Sequence, residues 1–223
     1  MPDITSIAVP VARKYRKYAL PLAIGILVLF HGVGFWGLLY SGRPAYFQAY
    51  TPLNLLLTNA LLFAFHRRWN SKFVIFALIV FAIGFFSEVI GVHTGLIFGS
   101  YSYGATLGTK VWDVPLLIGL NWLMLVYTTG HISNLARLPK LLKAILGAAL
   151  MVLLDYFIEP VATRFDFWRW QGEIPVSNFI GWFWVALLLQ IYFQLTEMFK
   201  QNRLSYVVYL VQLVFFIGLF VHL

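Results

Sequence analysis

The sequence predicts an all-α polytopic membrane protein with about seven transmembrane helices. Of its 223 residues, 61% are hydrophobic and only 11% are charged, whereas soluble proteins carry about 25% charged residues. The mean hydropathy is +0.82, and a chain of this size folded in water has too little buried volume to hide so much apolar surface. A soluble globular protein is therefore excluded, and residues 1–223 are expected to form a single domain.

Seven apolar stretches are long enough to cross a hydrocarbon core of about 30 Å as helices. They are Ala19–Tyr40, Phe47–Phe65, Phe73–Val92, Val114–Gly130, Leu141–Ile158, Phe179–Met198 and Tyr206–Leu223. A basic cluster precedes the first stretch, but a stretch of about twenty residues is too long for the apolar core of a signal peptide. We therefore expect it to remain as a helix.

The lysines and arginines predict the orientation of these spans. Twelve of the 16 lie before the first span or in the connections that follow the second, fourth and sixth spans. The other four are Arg43, Lys110, Arg164 and Arg169. The positive-inside rule then places the N-terminus in the cytoplasm and the C-terminus outside. Because the basic residues form short clusters between spans instead of a binding stripe, no nucleic-acid partner is expected.

The acidic residues show the opposite distribution. Six of the eight lie on or near the predicted outer side, namely Glu88, Asp113, Asp155, Glu159, Asp166 and Glu173. The two long connections, 93–113 and 159–178, lie on the same side and are rich in glycine, tyrosine and tryptophan. Loops of this length with a specific composition are commonly functional. The sequence therefore predicts a structured aromatic cap over one end of the helix bundle.

Three of these acids are candidates for chemistry, because Glu88 and Asp155 fall within apolar spans and Glu159 directly follows the fifth span. Ionisable groups facing lipid are costly, so Glu88 and Asp155 are expected to face the bundle interior. Asp155 and Glu159 are four residues apart on one helical face, and Pro160 is expected to end their helix. Three carboxylates can thus meet at one depth. For Glu88 and Asp155 the alternative is a structural role, in which they bond Asn121, a tyrosine or a loop arginine. For Glu159 the alternative is a solvated helix end.

Such a cluster fits acid catalysis of a reaction that passes through a cation. Desolvation and neighbouring carboxylates favour the protonated form of an acid, which a general acid requires, and aromatic faces stabilise a cation. The aromatic candidates are Tyr101, Tyr103, Trp112, Trp122, Trp168, Trp170 and Trp182. An interfacial aromatic belt is the alternative for each ring. Without cysteine, metal-ligand histidine spacing or a nucleotide-binding motif, we expect no metal and no cofactor.

Two blocks of the sequence carry a resemblance. The first, residues 88–122, contains EVIGVHTG, IFGSYSYG and VPLLIGLNW, and the second contains LDYFIEPVATRFDFWRW followed by IPVSNFIGW. Together they resemble the membrane-integral carotenoid hydratases, a family that includes bisanhydrobacterioruberin hydratase and γ-carotene 1′,2′-hydratase.

The resemblance implies addition of water to the terminal 1′,2′ double bond of an acyclic ψ-end group, giving a tertiary 1′-hydroxyl without a cofactor. Asp155 or Glu88 would donate the proton, and the other acid, or Glu159, would orient the water. Asn121 and Asn178 lie within the matching pieces and are candidate water ligands.

The resemblance also implies partners and a location. The substrate would be an acyclic or monocyclic carotenoid such as lycopene or γ-carotene. It would enter from membrane lipid between helices, with its end group near the outer ends of spans three to five. Other carotenoid-pathway enzymes are possible partners, and the membrane would be the inner membrane of a prokaryote.

Four other functions are weighed against this one. A retinal protein needs a lysine in the middle of the last span, and the last span contains none. A small proton-coupled transporter also has intramembrane acids, but here they crowd one side, and no inverted repeat is visible. A carotenoid cyclase of the lycopene cyclase type would share the acids and the cation, and only its product would differ. A carotenoid-binding scaffold without catalysis is the last alternative.

Overall fold

The computed structural model describes residues 9–223, with side chains from Tyr18 onward. The acidic residue Asp3 and the basic cluster at 13–17, on which part of the orientation prediction rests, lie outside the described side chains. The helices are α1 (Val9–Tyr40), α2 (Pro44–Gln48), α3 (Thr51–Ala64), α4 (Ser71–Thr94), α5 (Leu116–Ser133), α6 (Lys140–Arg164), α7 (Val176–Leu195) and α8 (Arg203–Val221). The strands are β1 (Tyr101–Tyr103), β2 (Lys110–Val111), β3 (Val114–Pro115) and β4 (Trp168–Trp170). The prediction of an all-α polytopic membrane protein is confirmed.

Six helices in the described part of the chain are long and apolar enough to cross a membrane. They are α1, from Tyr18 onward, together with α4, α5, α6, α7 and α8. The predicted span Phe47–Phe65 is divided between α2 and α3, and α3 has 14 residues, or about 21 Å. Pro52, in the first turn of α3, contributes to the division, because proline has no N–H with which to continue the helical hydrogen bonds from α2. The orientation of the bundle stays a prediction.

Helix α5 forms the centre of the bundle. Its apolar window is 72% buried, against at most 39% for the other five spans, and it packs against α3, α4, α6, α7 and α8. Close approach of α4 to α5 requires glycine at position 84, because a Cβ there would stand 2.4 Å from Cβ of Trp122. The outer helices present their remaining apolar faces to lipid.

One end of the bundle is closed by a small antiparallel sheet. Strand β1, from the loop after α4, pairs with β4, from the loop after α6, in the register Tyr101↔Trp170 and Tyr103↔Trp168. Gly104 allows the two loops to meet, since a Cβ there would stand 2.1 Å from the carbonyl oxygen of Asp166. We call the β1–β4 sheet and the two loops that carry it the cap, and this is the form that the predicted aromatic cap takes.

The prediction that Pro160 ends its helix is wrong, because α6 continues to Arg164 with this proline inside it. Proline removes one backbone hydrogen bond, but the following turn keeps others, such as the 2.9 Å bond from the Phe165 amide to the Val161 carbonyl. A helix that stopped there would leave more backbone groups without partners at the edge of the membrane. Continuing the helix is therefore the better solution.

Candidate functional site

Two glutamates from different helices line one small pocket beneath the cap. Its volume is about 20 Å³. Glu88 comes from α4 and Glu159 from α6, and they are 2% and 1% exposed. The remaining lining residues are Phe98, Tyr101, Tyr103, Ile118, Asn121, Trp122, Trp168, Trp170, Asn178 and Trp182. The structure therefore gathers ten of the residues that the sequence singled out with two more apolar ones, Phe98 and Ile118.

Glu88 accepts three hydrogen bonds. The hydroxyls of Tyr101 and Tyr103 donate to its Oε2 at 2.5 and 2.8 Å, and the indole Nε1 of Trp122 donates to its Oε1 at 3.0 Å. Gly91 makes room for this arrangement, because a Cβ there would stand 2.9 Å from the hydroxyl of Tyr101. Both oxygens of the Glu88 carboxyl are held in fixed directions.

Glu159 is held in the same way from the other side of the pocket. The indole nitrogens of Trp168 and Trp170 donate to its Oε2 at 2.9 and 2.7 Å, and the amide of Asn178 donates to its Oε1 at 2.7 Å. Neutral donors satisfy this buried carboxyl. In the described part of the chain, the ion pairs are at other acids, for example Arg169 with Asp166 at 2.8 Å.

The β1–β4 register explains why four aromatic donors reach two glutamates. Side chains alternate between the faces of a strand, so Tyr101 and Tyr103 of β1 point the same way as Trp168 and Trp170 of β4. The intervening pair, Ser102 and Arg169, is exposed. The two cap tyrosines therefore donate their hydroxyls to Glu88, and the two cap tryptophans donate their indole N–H groups to Glu159. The sequence signal is the period-two alternation in YSY and WRW.

The two cap tyrosines remain protonated donors. Both lie in β1, outside the membrane-spanning helices. Burial raises the pKa of Tyr101 and of Tyr103 well above the usual range, and the neighbouring Glu88 carboxyl raises it further. Because a phenolate beside a carboxylate is doubly disfavoured, each hydroxyl keeps its proton for the hydrogen bond to Glu88.

Asp155 lies behind the pocket rather than on its wall. Its Oδ2 accepts a 3.1 Å hydrogen bond from Nδ2 of Asn178, the same nitrogen that reaches Glu159. Its Oδ1 is buried without a hydrogen-bond partner among the described residues. Asp155 also interacts electrostatically with Glu159 and Glu88. The three acids of the sequence hypothesis are therefore neighbours, and Asn178 links the two that come from α6.

Stacked aromatic rings form one side of the site. The indoles of Trp122 and Trp182 lie 4.2 Å apart at an interplanar angle of 16°. By contrast, Trp112, one of the sequence candidates, is 59% exposed and its ring contacts Phe86 instead of the pocket. The described residues contain no group of three histidine, aspartate or glutamate side chains that could hold a metal ion.

A larger apolar cavity adjoins the glutamate pocket. Its volume is about 340 Å³, and it lies between α1, α2, α3, α5, α6 and α8. The two spaces share three lining residues, Ile118, Asn121 and Trp168. Exposed side chains of α1 and α3, such as Val33 and Leu53, lie at its rim, so it opens toward lipid.

Neither the acids nor the composition of the cap loops predicts this cavity. Some of the cavity's polar lining residues lie within predicted apolar spans: His31, Asn54 and Gln212. Those isolated polar residues were the available signal, since polar groups in lipid-facing helices are costly and need a reason.

Fold and site together define a multi-pass membrane protein with a buried cluster of acids next to an apolar cavity. The sequence model of a family described as carotenoid biosynthesis protein matches residues 50–223. That match covers well over half of the chain and includes both blocks of the resemblance, so this chain belongs to the carotenoid biosynthesis protein family. A search of curated proteins and a search of solved structures found no match.

Proposed function

We propose that the protein is a carotenoid hydratase, which adds water across the terminal 1′,2′ double bond of an acyclic ψ-end group. The observation that carries the proposal is that two cavities of different character adjoin each other. A glutamate-lined pocket of about 20 Å³ adjoins an apolar cavity of about 340 Å³. A water molecule needs roughly 10–15 Å³ of such space and two to four polar partners, so the smaller pocket suits one water.

The apolar cavity is the binding site for the end of the carotenoid chain. It opens toward lipid, where a long hydrocarbon resides, and it leads to Asn121 and Trp168 at the edge of the glutamate pocket. The entrance is on the α1 and α3 side, while the reacting end lies near the cap ends of α4, α5 and α6. Substrate from lipid and water beneath the cap would thus meet at one point.

The two α6 acids supply the proton. The carboxyl groups of Asp155 and Glu159 accept from the same amide nitrogen. Because two neighbouring negative charges repel each other, such a pair holds one proton between them. Asn178 joins Asp155 to Glu159, and Glu159 presents that proton to the pocket. Transfer to the less substituted carbon of the double bond leaves a tertiary cation at C1′. The face of Trp168, at the junction of the two spaces, is placed to stabilise this cation.

Glu88 orients the water and completes the reaction. Its three donors, Tyr101, Tyr103 and Trp122, hold both oxygens of the carboxyl in fixed directions beside the water. The water oxygen forms a bond to C1′ while Glu88 accepts the proton that the water loses. One proton enters at carbon and one leaves from water, so the net change is the addition of H₂O, and no redox partner is needed.

The test is expression in a bacterium that accumulates lycopene or γ-carotene, followed by mass spectrometry of the extracted pigments. A product heavier by one water, labelled from H₂¹⁸O and with an unchanged chromophore, is the expected result. An isomer of unchanged mass would identify a cyclase instead, and unaltered pigment under good expression would contradict the proposal.

Variants connect the activity to the pocket. Glu159→Gln and Glu88→Gln should each lower turnover at least about 10²-fold, the lower end of what general acid–base groups contribute. Glu197→Gln is the matched control, because that side chain is 83% exposed and paired with Lys72 at 2.8 Å at the opposite end of the bundle. It should retain the wild-type rate.

The predicted orientation assigns the reaction a side of the membrane. If the positive-inside distribution holds, the cap faces outward from the inner membrane of a prokaryote. A carotenoid held within the bilayer would then be hydrated in the outer leaflet.

A further inference from the structure

Three lysines meet at the end of the bundle opposite the cap. Helices α6 and α7 run in opposite directions, and Gly147 packs against Gln190, since a Cβ at position 147 would stand 2.6 Å from Cδ of Gln190. Lys143, one turn before Gly147, therefore lies level with Gln194, one turn after Gln190. The backbone carbonyl of Gln194 accepts a 3.1 Å hydrogen bond from Nζ of Lys200, so Lys200 lies near Lys143.

Lys140 is the third member of this group. It lies one turn before Lys143 on the same face of α6, and both residues act electrostatically on Lys200. We call these three residues the lysine cluster. Lys200 is half-buried, and its Nζ lies 5.1 Å from the centre of the Phe193 ring. Its ammonium group is therefore held in place, so little side-chain freedom is lost when a ligand binds.

The described residues do not neutralise the charge of the lysine cluster. None of its members takes part in an ion pair of the described residues. The described acid at this end, Glu197, attracts Lys140 electrostatically but bonds Lys72 at 2.8 Å. The first turn of α6 holds no acidic residue, and cations are unfavourable there because the helix dipole is positive. Ammonium groups this close repel one another unless an anion lies between them.

Exposed apolar side chains adjoin the lysine cluster. Leu141, Leu142 and Ile145 lie beside its two members on α6 and are 58%, 45% and 37% exposed. The surface therefore has a charged part and an apolar part. A free inorganic anion matches only the charged part. An anionic phospholipid matches both, because its phosphate accepts from ammonium groups and its acyl chains cover apolar side chains.

We propose that Lys140, Lys143 and Lys200 bind the phosphate of an anionic phospholipid, whose acyl chains lie along Leu141 and Ile145. The positive-inside distribution assigns this end of the bundle to the cytoplasmic leaflet. The site is separate from the glutamate pocket, so the inference does not depend on hydratase activity. The bound lipid links the start of α6 to the loop after α7, and it therefore stabilises the packing of these two helices.

Native mass spectrometry of the purified full-length protein in mild detergent tests the inference. Dioleoylphosphatidylglycerol and dioleoylphosphatidylcholine carry the same acyl chains, but only the first has a net negative charge. Each basic side chain beside an anionic headgroup strengthens binding roughly fivefold. We therefore expect wild type to bind the phosphatidylglycerol at least tenfold more tightly than the phosphatidylcholine.

Two triple variants separate a discrete site from general attraction to positive charge. Replacing all three residues of the lysine cluster by glutamine should bring the ratio of the two affinities close to one. The matched control removes the same charge at the same end of the bundle, from side chains that are not among those acting on Lys200. Its substitutions are Arg67→Gln, Arg68→Gln and Arg203→Gln. The control should keep the wild-type ratio, and thermal unfolding establishes that both variants are folded.

Three outcomes overturn the inference. Equal affinities of the two lipids for wild type would mean that the lysine cluster binds no lipid phosphate. An equal loss of preference in both triple variants would indicate diffuse attraction to the whole basic surface. Displacement of the phosphatidylglycerol by an equal concentration of glycerol 3-phosphate would identify a site for a free phosphate group instead of a lipid.

Discussion

Replacing Asn178 by leucine tests whether the linked acids of α6 form the working part of the site. The Asn178 amide is 1% exposed and donates to Asp155 at 3.1 Å and to Glu159 at 2.7 Å. Leucine has similar bulk but no donor, so two buried carboxyl oxygens would each lose a partner. Interhelical hydrogen bonds in membrane proteins average about 0.6 kcal/mol and reach about 1.7, and carboxyl acceptors belong at the upper end.

We therefore expect Asn178→Leu to lower the free energy of unfolding by about 3 kcal/mol, close to twice that upper value. Turnover should fall about 10²-fold even at temperatures where the variant is fully folded, because Glu159 loses its fixed direction and its link to Asp155. The measurements are reversible unfolding in mixed micelles and hydration of lycopene in nanodiscs.

Gln194→Met is the control, since Gln194 of α7 donates to Ser133 of α5 at 3.3 Å at the far end of the bundle. Loss of this one interhelical bond should cost about 0.6 kcal/mol with no loss of rate. An Asn178→Leu variant that unfolds like the control and hydrates lycopene at the wild-type rate would contradict both expectations. That result would mean that the contacts of Asn178 with the two acids carry neither stability nor chemistry.

Two further predictions concern packing and pH. Gly84→Ala should lower the melting temperature and abolish hydration, because its Cβ would stand 2.4 Å from a tryptophan of α5, whereas Gly25→Ala, with nothing within 4 Å, should change neither. Near the opposite end of the bundle, burial, helped by Lys140 and Lys143, lowers the pKa of Lys200 from 10.5 to about 8. Between these values the unfolded chain binds more protons, so this group's contribution to stability rises with pH. The melting temperature of wild type, relative to Lys200→Gln, should therefore rise between pH 8 and 10, and a pH-independent difference would contradict the assignment.

Hydropathy and charge predicted the helical bundle because lipid imposes a length and an apolar composition on each span. The same constraint made Glu88 and Asp155 conspicuous, since ionisable groups are expensive there. The short helix α3 was harder to predict. The mean hydropathy of an apolar stretch can reach the value of a membrane span even when a proline such as Pro52 divides the stretch between two helices.

The pairing of the cap strands depended on contacts that no local pattern specifies. Tyr103 and Trp168 lie far apart in the sequence and become partners only through the β1–β4 register. The alternation within each strand predicts which side chains share a face of the strand. It does not predict which glutamate those side chains bond. The exposure of Trp112 has a similar origin: it has a positive φ of 48°, a backbone conformation set by the loop as a whole.

The outward face of the cap offers a position for a spectroscopic label that reports on the site. Ser102 lies between the two tyrosines that bond Glu88, yet its own side chain is exposed and points away from them. The chain has no cysteine of its own, so a cysteine introduced at position 102 can carry a spin label or fluorophore. The label would be attached to β1 without contacting the acids. The cap could then be followed spectroscopically while substrate enters from lipid, with the chemistry left intact.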